Sequence, residues 1–118
     1  MPTIDLVILY VDNPKTSAAF YADLLYIEPA ELSPTFARFE LPSGIGLGLW
    51  SRHTVQPVPQ AGAGGGELAV VVDDVDVTYA DWANRGLRIV QNVTDMDFGR
   101  TFVALDPDLH RLRVFKPI

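Results

Sequence analysis

The sequence predicts an α+β fold made of two tandem β-α-β-β-β modules. Three observations carry that reading. Hydrophobic periodicity runs strand, helix, then three strands, and the order then repeats. The halves also align: Val11-Asp12-Asn13 lies over Val72-Asp73-Asp74, and the same offset sets Tyr21 over Trp82 and Leu6 over Glu67. A slightly larger offset brings Leu47-Gly48-Leu49-Trp50 over Leu112-Arg113-Val114-Phe115. Finally, Arg52 to Gly66 has no periodicity and carries Pro57, Pro59 and four glycines, as a linker would. The expected organisation is one domain, with module one at 1–51, a linker at 52–66 and module two at 67–118. An internal repeat of one supersecondary unit suggests like modules that pair to cover their apolar sheet faces.

Each element has a local reason. Ile4 to Val11 is a strand with apolar residues at every position after Asp5, so both of its faces are expected to be covered. Asn13 is a natural N-cap and Pro14 suits the first helical position, where no N–H is needed. The helix runs to about Leu25 on a stripe of Ser17, Phe20, Tyr21, Leu24 and Leu25, and Pro29 cannot continue it. Strands follow at about 28–33 and 35–41, separated by Pro34, and then a glycine-rich strand at 44–51. In the second half Glu67–Val72 is a strand, and Asp73-Asp74 caps a helix over about 75–85 that Gly86 closes. Val75, Tyr79, Trp82 and Ala83 form its apolar stripe, which makes Trp82 a core residue. Leu87–Gln91 is a short strand and Val93–Met96 a weaker one. Arg100–Leu105 and Arg111–Phe115 flank the turn Asp106-Pro107-Asp108.

Bulk composition excludes several classes. The chain has 118 residues, 48% hydrophobic and 20% charged, which fits one ordinary globular domain. It contains no cysteine, so disulfides and thiolate metal sites are excluded. No apolar run is long enough to span a membrane. No basic-then-apolar leader opens the chain, so a cytoplasmic protein is expected. Nine basic residues against 15 acidic ones give a net charge of −6, which argues against a nucleic-acid partner.

The stretch Gly44-Ile45-Gly46-Leu47-Gly48-Leu49-Trp50-Ser51 is unusual for a strand. Alternation puts Gly44, Gly46, Gly48 and Trp50 on one face and Ile45, Leu47 and Leu49 on the other. Glycine in a strand packs nothing and marks a bulge or a close approach. Two readings stand side by side. In one, a flat molecule lies in the glycine trough against the indole; in the other, the strand is merely twisted and Trp50 sits at the surface. Phe36 and Arg38 share a face of the preceding strand, and Arg38 is a candidate polar clamp.

The ordered set Val11-Asp12-Asn13-Pro14 with Ala19-Phe20-Tyr21, Leu47–Trp50, Ala69–Asp74 and Asp106-Pro107-Asp108 leading into Arg111–Phe115 resembles the vicinal oxygen chelate superfamily. That superfamily holds glyoxalase I, extradiol dioxygenases and the fosfomycin- and bleomycin-resistance proteins. Leu49-Trp50-Ser51 and Asp97-Phe98-Gly99-Arg100-Thr101-Phe102 resemble the phenazine-antibiotic resistance proteins within it. The resemblance implies two βαβββ modules curling into a mixed sheet with an open cleft, and a homodimer. It also implies metal-ligand positions at Leu6, Gly48, Glu67 and Arg113. Leucine and glycine offer no donor, and arginine has no lone pair to give, so no metal and no cofactor is expected. His53 and His110 are expected to be solvated loop residues. Glu67 and Arg113 would face one cup, either as a bidentate pair or with Arg113 meeting an anionic ligand group. Tyr10, Trp50 and Phe115 would line that cup. Asp97 to Arg100, with Phe98, is either a loop at its mouth or a bulge between strands.

The expected function is metal-free binding of a small planar aromatic antibiotic, phenazine- or bleomycin-like, on Trp50, Gly48, Phe36, Arg38, Tyr10, Glu67, Phe98, Arg100, Arg113 and Phe115. Two alternatives remain: a cofactor-free enzyme with Glu67 as general base, and a dimer with no small-molecule role. One departure from the family pattern is Leu109, which follows Asp108 where glycine is usual. If that position needs a positive φ, leucine is costly there.

Overall fold

A computed structural model describes residues 2–118; Met1, which the predicted first module includes, lies outside them. The chain divides into two compact units, Met1–Gly64 and Gly65–Ile118. The first contains β1 (Leu6–Val11), α1 (Pro14–Leu25), β2 (Glu31–Leu32), β3 (Phe36–Glu40) and β4 (Gly46–Ser51). The second contains β5 (Glu67–Val71), α2 (Val75–Asn84), β6 (Arg88–Met96), β7 (Gly99–Leu105) and β8 (Arg111–Pro117). This is the α+β architecture that the sequence predicts, with one β-α-β-β-β series in each unit.

Each series closes into a four-stranded mixed sheet, in the order β1-β4-β3-β2 and β5-β8-β7-β6. The first and last strands of each unit are parallel neighbours, and the other pairings are antiparallel. A helix covers one face of each sheet. In the first unit Ala18, Tyr21 and Leu24 of α1 are buried together with Ala37, Phe39, Leu47 and Leu49. In the second, Trp82 of α2 meets the Phe102 ring edge-to-face at 5.5 Å, and Tyr79 does so at 5.3 Å. Trp82 is thus core, as its place on the helical stripe predicts, whereas Ala83 of that stripe remains exposed.

Helix ends follow the expected chemistry. The Asn13 carboxamide accepts from the N–H groups of Lys15 and Thr16, and Pro14 opens α1. Asp74 caps α2 through the Val77 N–H, and Gly86 follows it at φ +84°. Tyr26 ends α1 in the left-handed region at φ 57°.

Four expectations are corrected. The first half of β1 is not covered on both faces: Val7 and Ile8 are each 39% exposed. β1 is an edge strand, and α1 packs over β2, β3 and β4 instead. The strand predicted at 28–33 is only Glu31–Leu32. The two short strands predicted around Asn92 are one, β6, with register irregularities between Ile89 and Gln91 and between Gln91 and Thr94. Those bulges broke the period of two on which the sequence reading depended. The segment after β4 is not structureless at its start. The Arg52 N–H bonds the Val11 carbonyl, those of Thr54 and Val55 bond the Ser51 carbonyl, and Val55 is buried.

Candidate functional site

The face of each sheet opposite its helix carries most of the predicted site residues. In the first unit, register sets Leu6, Ile8 and Tyr10 of β1 beside Gly46, Gly48 and Trp50 of β4. Across β4, Phe36 opposes Trp50 and Arg38 opposes Gly48. Period-two alternation therefore brings Tyr10, Gly48, Trp50, Phe36 and Arg38 onto one face. Phe36 and Trp50 are half-buried and meet edge-to-face, 6.3 Å between centroids at 89°.

The glycines of this face are not an empty trough. A Cβ at Gly48 would lie 3.1 Å from the Phe36 ring and 3.3 Å from Ile8. One at Gly46 would lie 2.9 Å from Leu6 and 3.1 Å from the Arg38 guanidinium. The space is taken by side chains of the flanking strands. Glycine here leaves room for Phe36 over Gly48 and for Arg38 and Leu6 over Gly46, so side chains rather than bare glycine fill this side of the strand. Arg38 is also engaged: its Nε donates to Glu40 at 2.5 Å and an Nη to Asp5 at 3.2 Å. Glu40, and then Asp5, raise the guanidinium pKa above its ordinary value.

In the second unit Glu67, Arg113, Thr101 and Phe115 share the corresponding face. Arg113 donates from Nε to Glu67 Oε1 at 2.6 Å and from one Nη to Oε2 at 3.5 Å. Its other Nη donates to Gln91 at 3.1 Å and Thr101 at 3.3 Å. Phe98 belongs to the tight β6–β7 connection. Its ring lies 5.9 Å from the Arg113 guanidinium and 6.2 Å from the Phe115 ring. Gln91 and Thr101 are site neighbours that sequence reasoning missed. Alternation along β7 would have found Thr101; the face of Gln91 was hidden by the β6 bulges.

Arg100 is the predicted site residue that lies elsewhere. It alternates onto the helix-side face, donates to both carboxylate oxygens of Asp76 on α2 at 3.2 and 3.0 Å, and reaches Asp95 at 2.8 Å. Asp76, and then Asp95, push its pKa further up. It braces α2 against β7 and takes no part in the aromatic face.

Of the two histidines, His110 differs from expectation, whereas His53 is the exposed loop residue that the sequence predicts. His110 is buried, and its Nδ1 lies 2.8 Å from Asp106 Oδ2. Asp106 Oδ1 accepts from the N–H groups of Asp108 and His110. His53 is exposed, but its Nε2 lies 2.8 Å from Asp12, which Arg52 also contacts at 3.3 Å.

The donor set does not fit a metal. Leu6 has none, Gly48 lies beneath a phenyl ring, Arg113 has no lone pair to give, and both oxygens of Glu67 accept from Arg113. Among the described residues no group of three or more His, Cys, Asp or Glu is placed to hold a metal ion. None of the described helices is long and apolar enough to cross a membrane.

Comparison with known proteins agrees with the architecture. The family model described as the glyoxalase/bleomycin resistance protein/dioxygenase superfamily matches residues 3–114. A phenazine antibiotic resistance protein, EhpR, from Enterobacter agglomerans is 31% identical over 96% of this chain and 92% of its own length. A protein from Agrobacterium tumefaciens, solved in solution by NMR, is 50% identical with a TM-score of 0.89, over 100% of this chain and 99% of its own. A glyoxalase/bleomycin resistance protein/dioxygenase from Nocardioides is 25% identical with a TM-score of 0.80, over 100% of this chain and 85% of its own. The paired βαβββ units and the match across nearly the whole sequence lead to one assignment: the chain belongs to the glyoxalase/bleomycin resistance protein/dioxygenase superfamily.

Proposed function

We propose that this protein binds and sequesters a planar aromatic antibiotic of the phenazine kind, without a metal and without turnover. The observation that carries the proposal is the half-buried Phe36–Trp50 pair on the face of β3 and β4 that α1 does not cover, with Tyr10 beside it. Aromatic side chains of this sort bind flat rings by stacking and burial. The resistance role of EhpR supports the same ligand class. Phe98 and Phe115 offer a second aromatic pair in the other unit. The enzymatic alternative has little support, because both oxygens of Glu67 already accept from Arg113. The exposed Val7, Ile8 and Val71 support a homodimer, which sedimentation velocity would report as a doubled mass.

Phenazine titrated into the protein should quench Trp50 fluorescence, with buried Trp82 as the unquenched internal reference. Trp50→Ala should weaken binding by roughly tenfold or more, as loss of an aromatic anchor does. Equal affinity of the parent and substituted proteins would place the site elsewhere. Saturable binding with chemical conversion of the ligand would favour the enzymatic reading.

A further inference from the structure

Both arginines that border the aromatic pairs are already neutralised by carboxylates of their own unit. Arg113 gives Nε and one Nη to Glu67, and its other Nη to Gln91 and Thr101. Arg38 gives Nε to Glu40 and an Nη to Asp5. Neither guanidinium is a free anion receptor, although each sits beside rings where a planar ligand would lie. The other arginine on the face of Arg113, Arg111, is exposed and lies four residues along β8 from Phe115, roughly 13 Å at strand rise.

We infer that Glu67, and on the other unit Glu40 with Asp5, are specificity-determining residues that make the aromatic faces select planar ligands carrying no anionic group. The inference rests on the binding role proposed above and names the ligand class. A ligand carboxylate reaching for Arg113 would have to displace Glu67, leaving that carboxylate partly buried and without its partner beside a second negative charge. Glu67 is 37% exposed and Arg113 19%, so water does not fully screen the encounter. An uncharged ring avoids this conflict. It stacks on Phe98, Phe115 or Trp50 and leaves both ion pairs in place.

The test compares phenazine with a phenazine monocarboxylate at neutral pH, by calorimetry and Trp50 quenching, in four proteins. These are wild type, Glu67→Gln, Glu67→Gln with Arg113→Gln, and Asp5→Asn with Glu40→Gln. Wild type should prefer the uncharged compound. Glu67→Gln frees Arg113, and the affinity ratio should then swing toward the carboxylate by on the order of tenfold, the scale of a charge-assisted hydrogen bond. Adding Arg113→Gln should abolish the swing, and the Asp5/Glu40 pair of changes should produce its own through Arg38. A wild-type preference for the carboxylate, or a ratio unmoved by releasing either arginine, overturns the inference and leaves the binding role standing. Failure of wild type to bind either compound overturns both. Should Glu67→Gln fail to fold, the wild-type preference and the Asp5/Glu40 variant decide in the same sense.

Discussion

Leu109 shows how a single backbone angle records a departure from a family pattern. It sits at φ +70° in the β7–β8 turn with more than half its surface exposed. A Cβ in the left-handed region crowds the following carbonyl, at a cost of roughly 1–2 kcal/mol. Its side chain contributes little packing in return. Leu109→Gly should therefore raise the unfolding free energy by about 1 kcal/mol, read as a higher urea midpoint at unchanged m-value. A lower midpoint would mean that the leucine side chain, not the angle, matters there. The cost was legible in the sequence, since Asp106-Pro107-Asp108 marks the turn. Gly99 was not legible in the same way. Its φ is +148°, and a Cβ would stand 2.2 Å from the Lys116 carbonyl oxygen. That close approach exists only once β7 and β8 pair.

At the scale of elements, the sequence located helices better than strand details. Asn13-Pro14 and Asp74 announce helix starts through caps that need no tertiary context. The sequence reads β6 as two strands because its two bulges shift the alternation, and bulges are set by the partner strand. In the glycine strand, alternation gives the two faces but not what lies over the glycines. Alternation gives the direction of a side chain, yet that Phe36 lies over Gly48 follows from cross-strand register. Likewise the sequence reads His110 as solvated because it lies in a polar turn. The turn instead folds around Asp106, whose carboxylate gathers two backbone N–H groups and the His110 ring in the buried interior. Removing a buried acceptor leaves its donors stranded. Asp106→Ala should thus cost about 3 kcal/mol or more, with faster exchange of the β7 and β8 amides. Protection factors unchanged along both strands would show that the turn does not hold the hairpin.

For the whole molecule, charge is the property most plainly written in the sequence and most dependent on pairing in the fold. The excess of acid over base gives a net charge of −6 and a sequence pI of about 4.6. Yet the carboxylates near the aromatic faces are tied to arginines, which composition alone does not reveal. Asp12 gives the pH dependence a definite sign. Its hydrogen bond to His53, and then Arg52, hold its pKa below the ordinary 3.8 against the opposing effect of desolvation. At pH values near 3.8 the unfolded chain takes up a proton at this position more readily than the folded one. The contribution of Asp12 to stability is therefore complete above that range and lost as pH falls through its depressed folded value. Because Asp12 is exposed, the contribution is small and screened by salt. Acid unfolding curves of the parent and of Asp12→Asn should converge at the lowest pH, with the parent more stable only above it. Raising the ionic strength should narrow the gap at neutral pH. A gap that persists below the acid transition would assign the role of Asp12 to hydrogen bonding that asparagine cannot reproduce, rather than to its charge.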